Sequence, residues 1–177
     1  MFKKNRIYII TSGITLILAY ILLAHRNWHL EASEKTTASA ETVWAWYEAT
    51  DLAPTWDPLV GKIKLSGPFS MGTTGINTAP NGMEFKMIFT EVSRFRSYTE
   101  ITRLFGAKMI FTHTLIVNEH GCTINHQVRC TGFLSSFYGL LLDKEYKAKF
   151  PIALKNLAHL ANHGLPLNYK IKNLQTP

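Results

Sequence analysis

The stretch ASAETVWAWYEATDLAPTWDP, from Ala38 to Pro58, restricts the possible folds more than any other part of this chain. Ser39 is placed to cap a helix, because its hydroxyl can take an orphan amide one turn in. Glu41 follows in the first turn, where the helix dipole favours negative charge. Ala40, Val43, Trp44 and Tyr47 recur at helical spacing and give one apolar face. Asp51 begins a shorter helical piece, limited by Pro54 and Pro58. Before these helices, Trp28 to Thr37 reads as a strand, with Leu30, Ala32 and Glu34 alternating against Glu31, Ser33 and Lys35. The fold must therefore accommodate two short aromatic-rich helices directly after a strand.

From Val60 to Thr131 the chain reads as a long antiparallel meander. Val60 to Ser66 alternates Ile63 and Leu65 with Lys62 and Lys64, and Gly67-Pro68 ends it. Gly72 to Ala79 is a weaker, Thr-rich strand, and Pro80, Asn81 and Gly82 make a turn. Glu84 to Val92 places Phe85, Met87 and Phe89 on one face. Arg96 to Arg103, Ala107 to Val117 and Cys122 to Thr131 are joined by a Phe105-Gly106 turn and a Glu119-His120-Gly121 turn. A long helix then runs from about Ser135 to His163, with Phe150, Leu154, Leu157 and Ala161 as its apolar stripe. Gly164 supplies its stop, and Pro151 inside it predicts a kink or a break. The order is that of an α+β domain, a curved antiparallel sheet wrapped on one long helix, and the space between them suits an apolar ligand.

This order and several segments resemble the START-like, polyketide cyclase/dehydrase superfamily (SRPBCC, the helix-grip fold). The segments are ASAETVWAWYEATDLAPTWDP, GPFSMGTTG from Gly67 to Gly75, FTEV from Phe89 to Val92, TRLFGA from Thr102 to Ala107, FTHTL from Phe111 to Leu115, and the Gly132 start of the last helix. The resemblance covers about Trp28 to Gly164. It implies a helix-grip domain with two short helices after the first strand. For function it implies a range, from lipid, hormone and quinone binders to cyclases.

The N-terminus lies outside that pattern. Ile7 to Ala24 carries no charge, and those eighteen residues would span ~27 Å as a helix, about one hydrocarbon core. Lys3, Lys4 and Arg6 precede the run, and Tyr8, Tyr20 and Trp28 lie near its ends. A single-pass transmembrane anchor over residues 1–27 is the first reading. A cleavable signal peptide and a buried helix are the others. The apolar run is long for a signal core, and Leu22 is too large for the cleavage site that Ala24 would otherwise suggest. The basic flank places the N-terminus in the cytoplasm and the domain on the extracytoplasmic side. Residues 165–177 read as a loosely held tail.

The 177 residues suggest one domain plus extras, and 46% hydrophobic content allows a sizeable core. The net charge of +7 is scattered; it suits a solvated surface or anionic headgroups, and no nucleic-acid motif accompanies it. Cys122 and Cys130 lie eight positions apart in one strand, so ~26 Å separates them and they should not pair. Neither has metal-ligand spacing, and no motif calls for a metal or cofactor.

The last hairpin gives the sharpest local inference. With its turn centred near His120, opposing positions sum to about 239. His113 then faces His126, Phe111 faces Val128, Leu115 faces Ile124, and Val117 faces Cys122, all on the face toward the long helix. Two imidazoles beside a cavity could orient a ligand, work as acid and base, or bind a metal given a third ligand. They could equally be partly buried histidines bonded to each other, to backbone or to water. Glu100 and Arg103 are lesser candidates, and a surface salt bridge is their simplest role. Asp51 and Asp57 suit caps and turns. Trp44, Tyr47 and Trp56 suit either the core or a pocket mouth, while Trp46, off the main stripe, suits an exposed or entrance-lining position.

These readings predict a membrane-anchored domain that binds a hydrophobic small molecule, lipid or isoprenoid-like. The ligand-binding residues would be His113, His126, Phe111, Leu115, Val128, Phe85, Met87, Phe89 and Trp46, with Ala40 to Trp56 and Met71 to Asn81 framing the entrance. The partners would be the lipid bilayer and that ligand. A cyclase/dehydratase-type enzyme using His113 and His126, and a membrane-tethered interaction module, are the alternatives. The absence of a Ser-His-Asp order or a Gly-rich phosphate loop favours binding over catalysis.

Overall fold

Tight turns decide the architecture. The structure is a computed structural model that describes residues 11–20 and 28–166. Strands β4 (Glu84–Ser93), β5 (Ser97–Leu104), β6 (Ala107–Asn118) and β7 (Gly121–Thr131) are joined by two- or three-residue connections, which can only return the chain antiparallel to its neighbour. Ahead of them lie β2 (Lys62–Leu65) and β3 (Thr74–Thr78), and β1 (His29–Thr36) comes back to pair with β7. The result is one seven-stranded antiparallel sheet in the order β1-β7-β6-β5-β4-β3-β2. Its two ends, β1 and β2, are joined by helix α1 (Ala40–Glu48) and a 3-10 helix (Thr50–Thr55), the aromatic-rich pair that the sequence placed there. The 3-10 form suits a six-residue piece that contains Pro54.

Ser39 caps α1 as its sequence predicts, its hydroxyl accepting the Thr42 N–H at 3.3 Å. The helix is buried on more than its apolar stripe. Trp46 is buried too, and its Nε1–H donates to the Gly164 carbonyl at 2.9 Å. The sequence reading of Trp46 as an exposed or entrance-lining ring is therefore corrected: the chain leaving the last helix covers that side of α1.

Helix α2 (Ser135–Asn162) lies across β1, β7 and α1. Phe150, Ala153, Leu154, Leu157, Ala158 and Ala161 form its buried stripe. Burying a leucine such as Leu154 or Leu157 contributes roughly 1.5–3 kcal/mol. The helix runs unbroken through Pro151. Proline removes one backbone donor, but its ring sits on the exposed face, where water can satisfy the freed carbonyl, so no break follows. The far end of α2 is tied to the β1–α1 connection: Asn162 Oδ1 accepts from Thr36 Oγ1 (2.7 Å), Thr37 Oγ1 (2.9 Å) and the Ala38 N–H (3.0 Å). Gly121 opens β7 at φ 138°, and any side chain there would collide with the Thr36 carbonyl, so the last hairpin turn can pack directly on that connection.

Residues 11–20 are helical. Among the described residues, no helix is long and apolar enough to cross a membrane. The run from Ile7 to Ala24 extends beyond the described residues on both sides, and the predicted tail lies outside them from residue 167 on. Cys122 and Cys130 are free and buried.

Candidate functional site

Register places the candidate residues in rows across the sheet. One row on the concave face reads Ala32, His126, His113, Tyr98 and Val92 from β1 to β4. The next reads Leu30, Val128, Phe111, Glu100 and Phe89. The β6–β7 pairing is the one the sequence predicts, with Asn118 opposite Gly121 and His113 opposite His126. The two imidazole centroids are 4.1 Å apart and inclined at 74°.

The two histidines do different things. His126 is sealed in the interior, and its Nε2 is hydrogen-bonded to the Tyr47 hydroxyl at 2.8 Å. His113 stacks flat on Tyr98, centroids 4.1 Å apart and planes 6° apart, and lines an internal cavity of about 70 Å³. Eight aromatic rings stand in the wall: Tyr47, Trp56, Phe69, Phe89, Tyr98, Phe111, Tyr146 and Phe150. Asp57, Leu59, Val60 and Ile63 close it beside the 3-10 helix, and Asn77 and Met87 close it from β3 and β4.

Three buried polar atoms on this wall have no hydrogen-bond partner: Trp56 Nε1, Asn77 Oδ1 and His113 Nδ1. Leaving such a group unpaired in the interior costs about 1–3 kcal/mol. All three belong to residues that line the same cavity. Two carboxyls face the same space. Glu100 is 9% exposed, and burial followed by the nearby Asp57 pushes its carboxyl up to about 7. Asp57 is half-buried; burial pushes it up to about 6, against the pull of the Leu59 N–H, which donates to its Oδ1 at 2.8 Å, and of Lys149. Burial lowers His126 to about 3, and it lowers His113 well below the usual imidazole range, helped by His126 alongside. At neutral pH both imidazoles are uncharged, and Glu100 sits near its midpoint.

Of the nine ligand-binding residues named from the sequence, four line the cavity: Phe111, His113, Met87 and Phe89. His126, Leu115, Val128, Phe85 and Trp46 are absent from its lining, and of these all but Phe85 are buried in the core. Val117 reaches past the end of α2 and is largely exposed, unlike its partner Cys122. Glu100 does not make the surface salt bridge that its spacing to Arg103 suggests, because it points inward while Arg103 points out. Glu100, Asp57, Tyr98, Asn77 and Tyr146 are the cavity residues that sequence reasoning missed or undervalued. The signal for two of them was present: if Phe105-Gly106 is a two-residue turn, Tyr98 falls opposite His113 and Glu100 opposite Phe111. Among the described residues no group of three His, Cys, Asp or Glu side chains is placed to hold a metal ion.

The likeness to other proteins is one of shape. No family model matches the chain, and no curated protein sequence does. Solved structures do match. MLL2253 from Mesorhizobium loti superposes with a TM-score of 0.62 at 15% identity, over 77% of this chain and 98% of that one. Ara h 8.0201 gives 0.61 at 14%, over 76% and 97%. Norcoclaurine synthase from Thalictrum flavum, solved in complex with dopamine and hydroxybenzaldehyde, gives 0.57 at 13%, over 88% and 94%. Identities this low carry the fold alone, and the fold is the helix grip of START-like and Bet v 1-like proteins.

Proposed function

We propose that this chain binds a compact hydrophobic molecule bearing one or two hydrogen-bonding groups, and that its N-terminal segment holds the domain at a membrane, with the domain on the extracytoplasmic side. The observation that carries the binding reading is that Trp56, Asn77 and His113, each with a buried polar atom that has no partner, line one cavity rich in aromatic rings. The rings supply apolar contact, Trp56 offers a donor, Asn77 an acceptor, and neutral His113 either. At about 70 Å³ the space is far below the ~300–1,000 Å³ of typical ligand pockets. This conformation therefore suits a small ring compound or the polar head of a longer isoprenoid or lipid, not a whole acyl chain. The anchoring reading rests on the eighteen uncharged residues from Ile7 to Ala24 and their basic flank.

Solvent extraction of the purified chain followed by untargeted mass spectrometry tests the binding reading. A His113→Leu, Asn77→Leu variant purified in parallel is the control. A compound present at near one per chain and lost from the variant is expected. Identical extracts from both proteins would refute specific binding in this cavity.

Catalysis has one observation in its favour, and it does not involve the predicted histidine pair. His126 is engaged by Tyr47 and lies outside the cavity lining. Glu100, by contrast, faces the cavity with its carboxyl raised to about 7, a value suited to proton transfer near neutral pH. If the ligand is turned over, Glu100→Gln should abolish turnover and leave binding within about tenfold. Unchanged turnover in that variant would exclude the carboxyl from the chemistry.

A further inference from the structure

Exposed apolar surface is unevenly spread over the domain. Among the described residues three phenylalanines are exposed, and all three lie at one end. Phe105 (86% exposed) is in the β5–β6 turn, Phe133 (74%) is in the β7–α2 connection, and Phe137 is in the first turn of α2. Leu140 and Leu141, three and four residues further on, extend the exposed face along the helix. The pieces are physically joined. The Leu134 N–H donates to the Gly106 carbonyl at 3.0 Å, and the Tyr138 hydroxyl donates to the Phe105 carbonyl at 3.2 Å.

The chain also enters the domain here. Trp28, just ahead of β1, is seated on the inner side of this same end of α2, over Gly139 and Asp143. A Cβ on Gly139 would fall 3.0 Å from Trp28 Cβ, and Trp28 Nε1–H donates to Asp143 Oδ1 at 2.9 Å. The uncharged run that ends at Ala24 is thus four residues from this end of the domain. Cations flank the patch. Arg103 and Lys108 oppose each other across β5 and β6, and Lys144 follows Leu141 by three residues; all are exposed, and none forms an ion pair among the described residues. The acids close by are already matched, Asp143 with Lys147 (2.8 Å) and Glu145 with Lys149 (2.6 Å).

We propose that this end of the domain lies on an anionic bilayer surface, with Phe105, Phe133, Phe137, Leu140 and Leu141 at the acyl boundary and Arg103, Lys108 and Lys144 among the headgroups. The inference rests on the anchoring proposed above and adds the orientation of the domain on the membrane. Apolar side chains rimmed by unpaired cations are what an interfacial contact uses. A second copy fits less well, because a two-fold contact through this patch would bring the same cations of both chains together.

The test uses the full chain in vesicles of phosphatidylcholine and phosphatidylglycerol. An environment-sensitive fluorophore is placed on Phe133→Cys or, as control, on Val117→Cys. Val117 is 69% exposed at the other end of β6, about 30 Å away. The native cysteines are buried, so labelling goes to the introduced thiol. Doxyl-labelled lipid should quench the probe at 133 at least fivefold more than the probe at 117, and iodide should do the reverse. Adding Arg103→Glu and Lys108→Glu should reduce the lipid quenching. Equal iodide access at both positions in chain that floats with vesicles overturns the orientation and leaves anchoring intact. Failure to float with vesicles overturns both. Protection at 133 that vanishes as the protein-to-lipid ratio is lowered assigns the patch to a second copy and overturns the proposal.

Discussion

His113 and His126 face each other in one hairpin, yet they belong to two different regions of the molecule. The β1–β7 side, where α2 lies, is packed and largely satisfied: His126 has Tyr47, Trp28 has Asp143, and Asn162 gathers the donors of the β1–α1 connection. Among the described residues only Thr131 Oγ1, at the far end of β7, is a buried side-chain atom left unpartnered on these two strands. The β3–β5 side faces a cavity, and Trp56, Asn77 and His113 keep polar atoms unpaired there. The difference separates two tasks. The gripped half supplies stability, and the open half keeps buried polar groups without partners. Identical substitutions on the two sides should therefore give different outcomes.

The largest contrast is in packing. Leu154, on the buried stripe of α2, is 1% exposed, and Leu154→Ala should cost about 2–5 kcal/mol, because the surroundings cannot collapse fully onto the void. Phe69, only partly buried and already beside empty space, should lose less than about 2 kcal/mol as Phe69→Ala, although it removes more atoms. Urea midpoints read both, and equal losses would erase the distinction between the two halves.

A pH effect of comparable size belongs to the cavity side. Glu100 rises from an ordinary 4.5 to about 7, so the folded chain keeps a proton that the unfolded chain has released. Stability should then fall as pH rises from 4.5 through about 7, by at most roughly 3 kcal/mol. His126, lowered from 6.5 to about 3, and His113, lowered likewise, act in the opposite sense: their contribution is lost as pH falls through 6.5. The carboxyl is read by the difference between the parent and Glu100→Gln from pH 6.5 to 8, the parent losing stability relative to the variant as pH rises. A parent and a Glu100→Gln variant with the same pH dependence across that window would contradict an inward, unpaired Glu100.

The histidines give the most direct comparison. His126→Leu leaves the Tyr47 hydroxyl buried without a partner and should cost about 1–3 kcal/mol. His113→Leu removes an atom that has no partner, so its stability should stay within about 1 kcal/mol of the parent, with ligand binding lost. A His113 variant as unstable as the His126 variant would make the pair a single structural unit.

This division also explains what could be read in advance. Strand alternation and tight turns carry the meander, and one hairpin offset was enough to pair His113 with His126. The aromatic helices were legible as an element but not in depth. Trp46 lies off the apolar stripe, and only the chain returning past Gly164 shows that the other side of α1 is covered as well. Glu100 was undervalued because a carboxylate in an alternating strand ordinarily faces water, and its inward direction depends on the two-residue turn at Phe105-Gly106. Asp57 and Asn77 could not be found locally at all. They come to the cavity from the 3-10 helix end and from β3, and only tertiary closure brings them beside His113.

The smallest expected effect bears most directly on why the open half is polar. Asn77 stands on β3 between Ile63 and Phe85, with its amide oxygen buried and unpartnered at the cavity wall. Leucine has nearly the same volume and no oxygen to desolvate. Asn77→Leu should therefore be neutral or stabilising by up to about 1 kcal/mol in ligand-free chain, against the usual tendency of core substitutions to destabilise. With ligand present the sign should reverse, since the parent gains a hydrogen bond that the variant cannot make, and binding stabilises only the folded state. Melting the two proteins with and without the extracted compound measures both signs. A variant that is less stable than the parent under both conditions would mean that Asn77 is held by the fold, and the cavity would lose one of its three reasons for being read as a binding site.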